Sequence, residues 1–559
     1  MMKTATLKKI ATVLVVLLVV NVASHFVFKR FDLTADKRYT LSETSLKIID
    51  EVTQPLYVDV FLEGNFPGEF KKLQTETQQL LEEFKAQNSN IIFQFVNPLA
   101  DEDVDKEAIF QSFVERGLTP VNVTLNDKGQ QTQEIVFPWA IATFGDKSVK
   151  IPLLKNMIGA STAEKVVTSV QHLEYAFANA FNTVSKAKEK KVAILNGNGQ
   201  LEDKYIADFV RTIRDNYYIG PFTLDSVAKQ PTETLKYLKK YDLLVIAKPT
   251  EVFTDAEKQV LDQYVISGGK TIWLMDQVNM EMDSLLQTGE NLAFPRNLNL
   301  NDMFFKYGIR MQPELIKDLM ATPIALATGE QGSATQYTQF PWFYSPMIYP
   351  SAKNPIVSNL DGIKFEFASP IELLQNDLKK SVLLTSSKYS KLMGTPTEVN
   401  LNMVEERPDQ KEFTGTGNYP VAVLLEGKFH SVFENRVLAF KDASFKNADK
   451  DSKMIVISDG DVIRNQLDKN YQPLELGFDK WTNTLYANKE FMLNCVNYLL
   501  DDTGLINIRS KEVNLPMLDK DKVYKDYTFS QIITVGLPLV VLLVFGVLFT
   551  ILRKKKYSK

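Results

Sequence analysis

Two carboxylates separated by a glycine, Asp459-Gly-Asp461, with Asn465 close behind, end the apolar run Lys453-Met-Ile-Val-Ile-Ser458. Ligands of open α/β sheets sit outside such strand ends, and paired carboxylates there suit a divalent cation or acid–base work. No third acidic ligand stands at a fixed spacing, and Asp and Gly serve equally to make a turn and cap the next helix. A second polar turn, Asn196-Gly-Asn-Gly199, follows the run Lys191-Val-Ala-Ile-Leu195. Its glycines would let backbone amides approach a phosphate at a helix start. The third glycine of a dinucleotide fingerprint is replaced by Glu202, whose charge opposes an anion, so a sharp strand-to-helix turn accounts for the same residues.

A third candidate is aromatic. Gln339-Phe-Pro-Trp-Phe-Tyr-Ser-Pro-Met-Ile-Tyr-Pro350 gathers Trp342, Phe343 and Tyr344 among prolines in a stretch too broken for a regular element. Such side chains are enriched in binding hot spots, although a loop packed on its own domain is the commoner outcome.

Other chemistries are excluded by residue type. The single cysteine, Cys495, lies in the apolar helix-like run Phe491 to Leu500, where a thiol is inert, and one cysteine permits no intrachain disulfide. His25, His172 and His430 are too scattered for a zinc site. Ser267-Gly-Gly-Lys-Thr271 is not a Walker A loop, because Tyr264 stands where its first glycine belongs. No Gly-x-Ser-x-Gly elbow occurs, so neither an ATPase nor a serine hydrolase is expected. A net charge of −4 leaves no nucleic-acid footprint.

The elements that must position these residues fall into two blocks. Ser42 caps a short helix carrying Leu46, Ile49 and Val52, and 56–62 alternates as a strand. A helix over 69–84, a strand over 91–96, a helix over 102–116 and a hairpin of 121–125 with 133–137 around Asn126-Asp-Lys-Gly129 follow. A long helix from Ser161 to about Lys186 opens with a Ser161/Glu164 capping box. This order, spanning 40–187, resembles a thioredoxin-like α/β domain, without the Cys-x-x-Cys that redox work requires.

From 188 to 510, buried-type strands at 191–199, 241–249, 271–276 and 453–461 alternate with helices near 203–214, 254–266 and 488–500. This pattern implies a parallel sheet covered on both faces. Thr254 and Glu257 form a second capping box. Residues 295–450 read as part insertion, part added edge strands, notably 381–386 and 421–427.

Both extremities are apolar. Ile10 to Phe28 and Ile532 to Leu552 each carry no charge and are long enough, at about 1.5 Å per helical residue, to cross a bilayer core of roughly 30 Å. Arg553 to Lys556 and Lys559 follow the second span, and Lys3, Lys8 and Lys9 precede the first. Positive flanks stay cytoplasmic, which predicts both termini inside a bacterial inner membrane, 511–529 as a tether and the bulk in the periplasm. A cleaved signal peptide is the rival for the first span, with Val22-Ala-Ser24 as the cleavage region, but its apolar run exceeds a usual signal core.

The layout of anchor, Arg30 to Ser42 segment, parallel-sheet block with Tyr241 to Pro249 and Phe253 to Met275, Ser458 to Asn465 and terminal span resembles the auxiliary subunits of bacterial ABC transporters. It is most similar to the GldG family of gliding-motility components. The resemblance implies a non-enzymatic subunit, without cofactor, working with a membrane permease and, through it, a cytoplasmic ATPase. It also implies a glutamine-amidotransferase-like fold for 188–510. Those enzymes place a nucleophilic cysteine at a strand-to-helix elbow, where this chain has Asn196-Gly-Asn or Asp459-Gly-Asp. The alternatives are an envelope hydrolase or transferase using Asp459 and Asp461, and a periplasmic carbohydrate- or peptide-binding module centred on Trp342.

Overall fold

Strands that are apolar along their whole length must be buried on both faces, and this requirement organises the larger part of the chain. The computed structural model describes residues 12–21, 32, 34, 37–100, 105–127, 130–331, 334–415, 417–511 and 524–557. Met1–Lys511 form one compact unit and Glu512–Lys559 a second.

Within the first unit, helix α1 (Glu43–Asp50) begins at Ser42, whose hydroxyl accepts the Ser45 N–H at 3.1 Å. It leads to β1 (Leu56–Val60), α2 (Gly68–Gln87), β2 (Ile91–Phe95) and α3 (Lys106–Glu115). The anticipated hairpin forms as β3 (Val121–Asp127) with β4 (Gln130–Val136), but as a separate two-stranded sheet. Two further strands that the sequence reading passed over, β5 (Trp139–Phe144) and β6 (Lys147–Pro152), complete a four-stranded sheet of order β2-β1-β5-β6. The buried faces of β5 carry only Ala140 and Ala142, too small to mark a strand by hydrophobicity. Gly145, at φ +57°, makes the tight turn between the two strands. Helix α4 (Thr162–Ser185) opens with the Ser161/Glu164 capping box and packs on α2 through Phe84 and Phe181, 5.2 Å apart edge to face.

The chain then builds β7 (Lys191–Asn196), α5 (Ala207–Arg214), β8 (Tyr218–Thr223), α6 (Pro231–Leu238), β9 (Leu243–Ala247), α7 (Asp255–Ile266) and β10 (Lys270–Leu274). Helix α8 (Met282–Thr288) and a long hairpin, β11 (Ala321–Gln331) with β12 (Ala334–Ile348), belong to the intervening segment. After it come β13 (Lys379–Thr385), β14 (Pro420–Lys428), β15 (Asp451–Ile457) and α9 (Asn488–Leu500). These strands form one seven-stranded sheet of order β13-β14-β15-β10-β9-β7-β8, parallel from β15 to β8. Alternate residues feed two cores. Val192, Ile194, Val245 and Ile272 meet α5 and α9, whereas Ala193, Leu244, Ile246 and Trp273 meet α6 and α7.

The stretch containing Trp342, Phe343 and Tyr344 is regular strand, not a broken loop. Its prolines are accommodated because the β11–β12 pairing shifts register beside Pro323 and again before Gly329.

Residues far apart in sequence are joined where the two sheets meet. Glu490 of α9 accepts hydrogen bonds from Lys155 (3.0 Å) and from Arg509 (2.8 Å), whose side chain is fully buried. Burial would raise the Glu490 carboxyl, but Lys155 and Arg509 outweigh it and hold it well below the usual carboxylate range. Beside this joint, Glu174 of α4 accepts the Ser42 N–H (2.7 Å), the Ser45 hydroxyl (2.8 Å) and the Lys511 ammonium (2.7 Å). Lys511 also reaches the Thr40 carbonyl at 2.9 Å, so the first unit is entered and left at one place.

In the second unit the helical stretch Tyr527–Tyr557 holds an 18-residue apolar window with a mean hydropathy of 2.9, none of it buried. It contains the expected span at 532–552, with a π-helical turn at Ile532–Gly536 just ahead of Pro538. Pro538 lacks the N–H that would bond the Thr534 carbonyl, which accounts for the irregular turn. Among the described residues this is the one helix long and apolar enough to cross a membrane. Of the first expected span, Thr12–Asn21 is an apolar helix, and the remainder lies outside the described residues.

The joint predicts its own pH dependence. A carboxylate with a depressed folded pKa contributes stability that is present above its unfolded value, about 4.3, and lost as pH falls. Glu490→Gln should lower stability at neutral pH by about 3 kcal/mol, because it leaves buried cations without their partner. It should also flatten the loss of stability below about pH 4, measured by urea unfolding across pH.

Candidate functional site

Three adjacent parallel strands deliver their carboxyl ends to one spot. Lys248 follows β9, Asp276 follows β10, and Ser458 to Asp461 follow β15. The Lys248 Nζ lies 2.6 Å from Asp461, 2.6 Å from Glu281 and 3.6 Å from Asp276, with its side chain only 3% exposed. Its backbone is left-handed, φ +55°, a conformation that costs a non-glycine residue about 1 kcal/mol or more and turns the side chain back over the strand ends. Gly460 makes room for it. A Cβ there would stand 2.3 Å from Lys248 Cγ, and the Gly460 N–H donates to Asp276 Oδ1 at 2.6 Å.

Burial alone would lower the Lys248 pKa, but Asp461, Asp276 and Glu281 together hold it well above its ordinary value. Asp461 meets the same burial penalty, and Lys248 and Arg464 outweigh it, so its carboxylate is held down. Asp276 and Glu281 are pushed up by burial, against the pull of Lys248. Asp459 is pushed well up by burial and by the charges of Asp461 and Asp276. Its two oxygens accept the N–H groups of Glu366 (2.6 Å) and Asp461 (2.7 Å), which fixes the turn. The outer layer is also paired. Arg464 meets Asp283 at 2.5 Å and Asp461 at 3.5 Å and stacks on Tyr205, while Arg296 bonds Asn279 and Glu281.

Oxygens of Asp276, Asp459 and Asp461 lie within 4.8 Å of one another, a spacing that could hold a cation. The third acid missing from the sequence reading is therefore Asp276, at the end of the neighbouring strand. A cation is nonetheless already supplied, because the Lys248 ammonium sits among these carboxylates. It is a poor base or nucleophile, since its proton is held more tightly than usual.

The other expected residues are placed as follows. Asn465 is buried and ties β15 to α5, accepting the Asp208 N–H and donating to the Lys204 carbonyl. Asn196 ends β7, paired in register with Thr223. Asn198 is buried, and its carbonyl accepts the N–H groups of Thr250 and Glu251 at 3.1 Å. The Asn196 turn and the Lys248 cluster flank the point where the helices after β7 and β9 go to opposite faces of the sheet. An open cleft of about 380 Å³ lies there, lined by Gly199, Gln200, Lys248, Glu281, Asp283 and Arg464.

Trp342, Phe343 and Tyr344 do not form a surface. Trp342 and Tyr344 are 1% exposed and Phe343 8%, and the first two pack with Met280, Leu285 and Phe367. A strand buried on both faces explains their density better than recognition does. The exposed aromatic pair is Tyr337 with Trp481, ring centres 5.9 Å apart. Sequence reasoning also passed over Lys248, Glu281 and Arg464. The available signal was a lysine directly after five apolar strand residues, a position where an unpaired charge would not be tolerated.

Residues 189–495, which carry this whole site, match the model of a family described as ABC-type uncharacterized transport system. The chain belongs to that family and is an ABC transporter auxiliary component. Residues 35–143 match a domain of unknown function. Over 537 residues, 94% of each chain, the sequence is 22% identical to an uncharacterized protein of Borreliella burgdorferi. Among solved structures, the mmIFT52 N-terminal domain aligns over 58% of this chain and 100% of its own, at TM-score 0.31 and 14% identity. A ThuA-like protein from Parabacteroides merdae aligns over 60% and 94%, at TM-score 0.26 and 8% identity.

Two substitutions test the cluster. Lys248→Met should destabilise the fold by about 3–5 kcal/mol, because it strands buried carboxylates. Gly460→Ala, which adds one methyl group against Lys248, should cost about 1–3 kcal/mol in chemical denaturation.

Proposed function

We propose that the chain is a non-enzymatic, doubly anchored auxiliary subunit of a gliding-motility ABC transporter of the GldG type. Both termini are cytoplasmic, the folded body is periplasmic, and the spans dock on a permease driven by a separate ATPase. The family match over 189–495 carries this reading. The apolar helix ending in Arg553 to Lys556 supports the orientation. The order β2-β1-β5-β6, with β1 and β2 parallel and β5 antiparallel, supports a thioredoxin-like domain over 40–187. The parallel sheet from β8 to β15 supports an amidotransferase-like domain over 188–510, with its insertion at 295–450. The turns that would hold a nucleophile carry asparagine or aspartate, and Cys495 is buried on α9 with its thiol pushed up by burial.

The non-enzymatic part rests on Lys248. A catalytic carboxylate pair needs an accessible acid and base, and here the candidates are tied to a lysine, an arginine and backbone amides. The partner or substrate surface in this reading is the cleft lined by Gly199, Lys248 and Arg464, with Asp461 holding Lys248 and Arg464 in place. An envelope hydrolase remains the rival, favoured only by the nearness of Asp276, Asp459 and Asp461.

Purifying the intact chain in mild detergent should co-elute a permease and an ATPase. Replacing residues 532–552 with an unrelated apolar helix should remove both partners and motility. A full complement of partners after that exchange would refute docking through the span.

A further inference from the structure

A cleft of about 430 Å³ opens beside the short helix Asn301–Lys306 and shares no lining residue with the one at Lys248. The spacing of apolar residues in this helix decides what faces the cleft. Met303, Phe304 and Tyr307 are buried, with Phe304 edge to face on Trp273 at 5.2 Å and the Tyr307 hydroxyl donating to Asp262 at 2.9 Å. Phe305, between them in sequence, is turned outward and stays 55% exposed. The cleft therefore has a firmly seated apolar side, made of Phe304, Phe305, Met311 and Pro313, and a size that suits a small molecule.

The charged residues lining it are Arg310 and Arg436 against Asp302. Asp302 is heavily engaged. Lys258 bonds both its oxygens, at 3.0 and 3.2 Å, the Met303 N–H donates to it at 2.9 Å, and Arg436 Nη1 meets it at 2.7 Å. The arginines are the opposite case. Among the described residues each spends a single N–H, Arg436 on Asp302 and Arg310 on Glu372 at 3.3 Å, and both side chains are more than half exposed, so their other donors face water. The remaining charges nearby lie outside the lining. Asp255, 3.4 Å from Lys258, and Glu372 are open to solvent, and Lys306 pairs with Glu434 at 2.8 Å. Exposed ion pairs of this kind contribute about 0–1 kcal/mol, so a ligand can replace them. The lining itself keeps one positive charge in surplus.

Charge and ring are presented together. The Arg310 guanidinium carbon stands 5.6 Å from the centre of the Phe305 ring. A guanidinium is planar, keeps its charge at every working pH and matches a carboxylate fork to fork. An apolar body lying against Phe305, Met311 and Pro313 would bring an anionic end among the free arginine donors. A cationic ligand would meet two arginines, and a neutral one would gain no charge-assisted bond from them. The single surplus charge of the lining favours a monoanion over a dianion. We propose that this cleft binds a small carboxylate with a flat apolar body, its ring on Phe305 and its carboxylate on Arg310 and Arg436. The site goes beyond the partner or substrate cleft at Lys248 and stands or falls independently of it.

The test photolabels the full chain in lipid nanodiscs with 4-benzoylbenzoate, an aryl ketone carboxylate that inserts into nearby C–H bonds, and maps the label by mass spectrometry. The expected result is saturable labelling within 301–313, competed by 3-phenylpropanoate. Competition by 3-phenylpropanol, 3-phenylpropylamine or phenyl phosphate should be weaker by about tenfold, the loss of one charge-assisted contact. Arg310→Gln with Arg436→Gln should weaken labelling by about the same factor, and Phe305→Ser should weaken it independently. All three side chains are exposed, and thermal melting checks that the variants fold. Absence of saturable labelling in this segment would overturn the proposal. Equal competition by the alcohol or the amine, equal or stronger competition by phenyl phosphate, or undiminished labelling in both variants would each do the same.

Discussion

The fold depends on placing a lysine ammonium where water cannot reach it. Removing a charge from water costs several kcal/mol, and only close, opposite charges return that cost. Lys248 meets this condition by turning left-handed at the end of β9, so that Asp461, Glu281 and Asp276 surround its amine. Asp276 and Glu281 arrive on the stretch after β10 and Asp461 on the turn after β15, and Gly460 is the residue that lets them close. The cluster thus fixes the relative positions of β9, β10 and β15 at the end where an open α/β sheet would ordinarily do chemistry. The groups at that end are engaged with one another, Lys248 with Asp461, Glu281 and Asp276, and Asp461 also with Arg464.

A subunit that works by position has a use for such rigidity. Glu490 ties Lys155 to Arg509, and Glu174 ties the Ser42 end of the folded body to Lys511 at its other end. The two ends of the folded body are thereby held at one place, on packed elements. The two carboxylates at this joint, Glu174 buried and Glu490 partly so, join distant segments as the lysine cluster joins the strand ends.

Much of this was legible from sequence because it is periodic or local. The capping boxes at Ser161 and Thr254, the apolar strands at 191, 241, 271 and 453 and the two strands added from within 295–450, of which β13 is the edge, follow from patterns a few residues long. The site was half legible. Asp459 and Asp461 stood out, but Lys248, Asp276 and Glu281 become partners only through strand order, which periodicity does not encode. Strand β5 escaped because alanines face inward, and the Trp342 stretch misled because a buried strand and a binding loop are rich in the same aromatics.

The central claim is that the acidic cluster is closed by Lys248 and takes no metal. Thermal unfolding of the full chain, with chelator and then with Mg²⁺, Ca²⁺, Mn²⁺ or Zn²⁺ in turn, tests it most directly, because a ligand of the folded state raises the midpoint by mass action. The account predicts midpoints that agree to within about one degree, since each degree is only a few tenths of a kcal/mol for a chain of this size. A saturable rise of several degrees with any of these ions, abolished by Asp461→Asn, would contradict it.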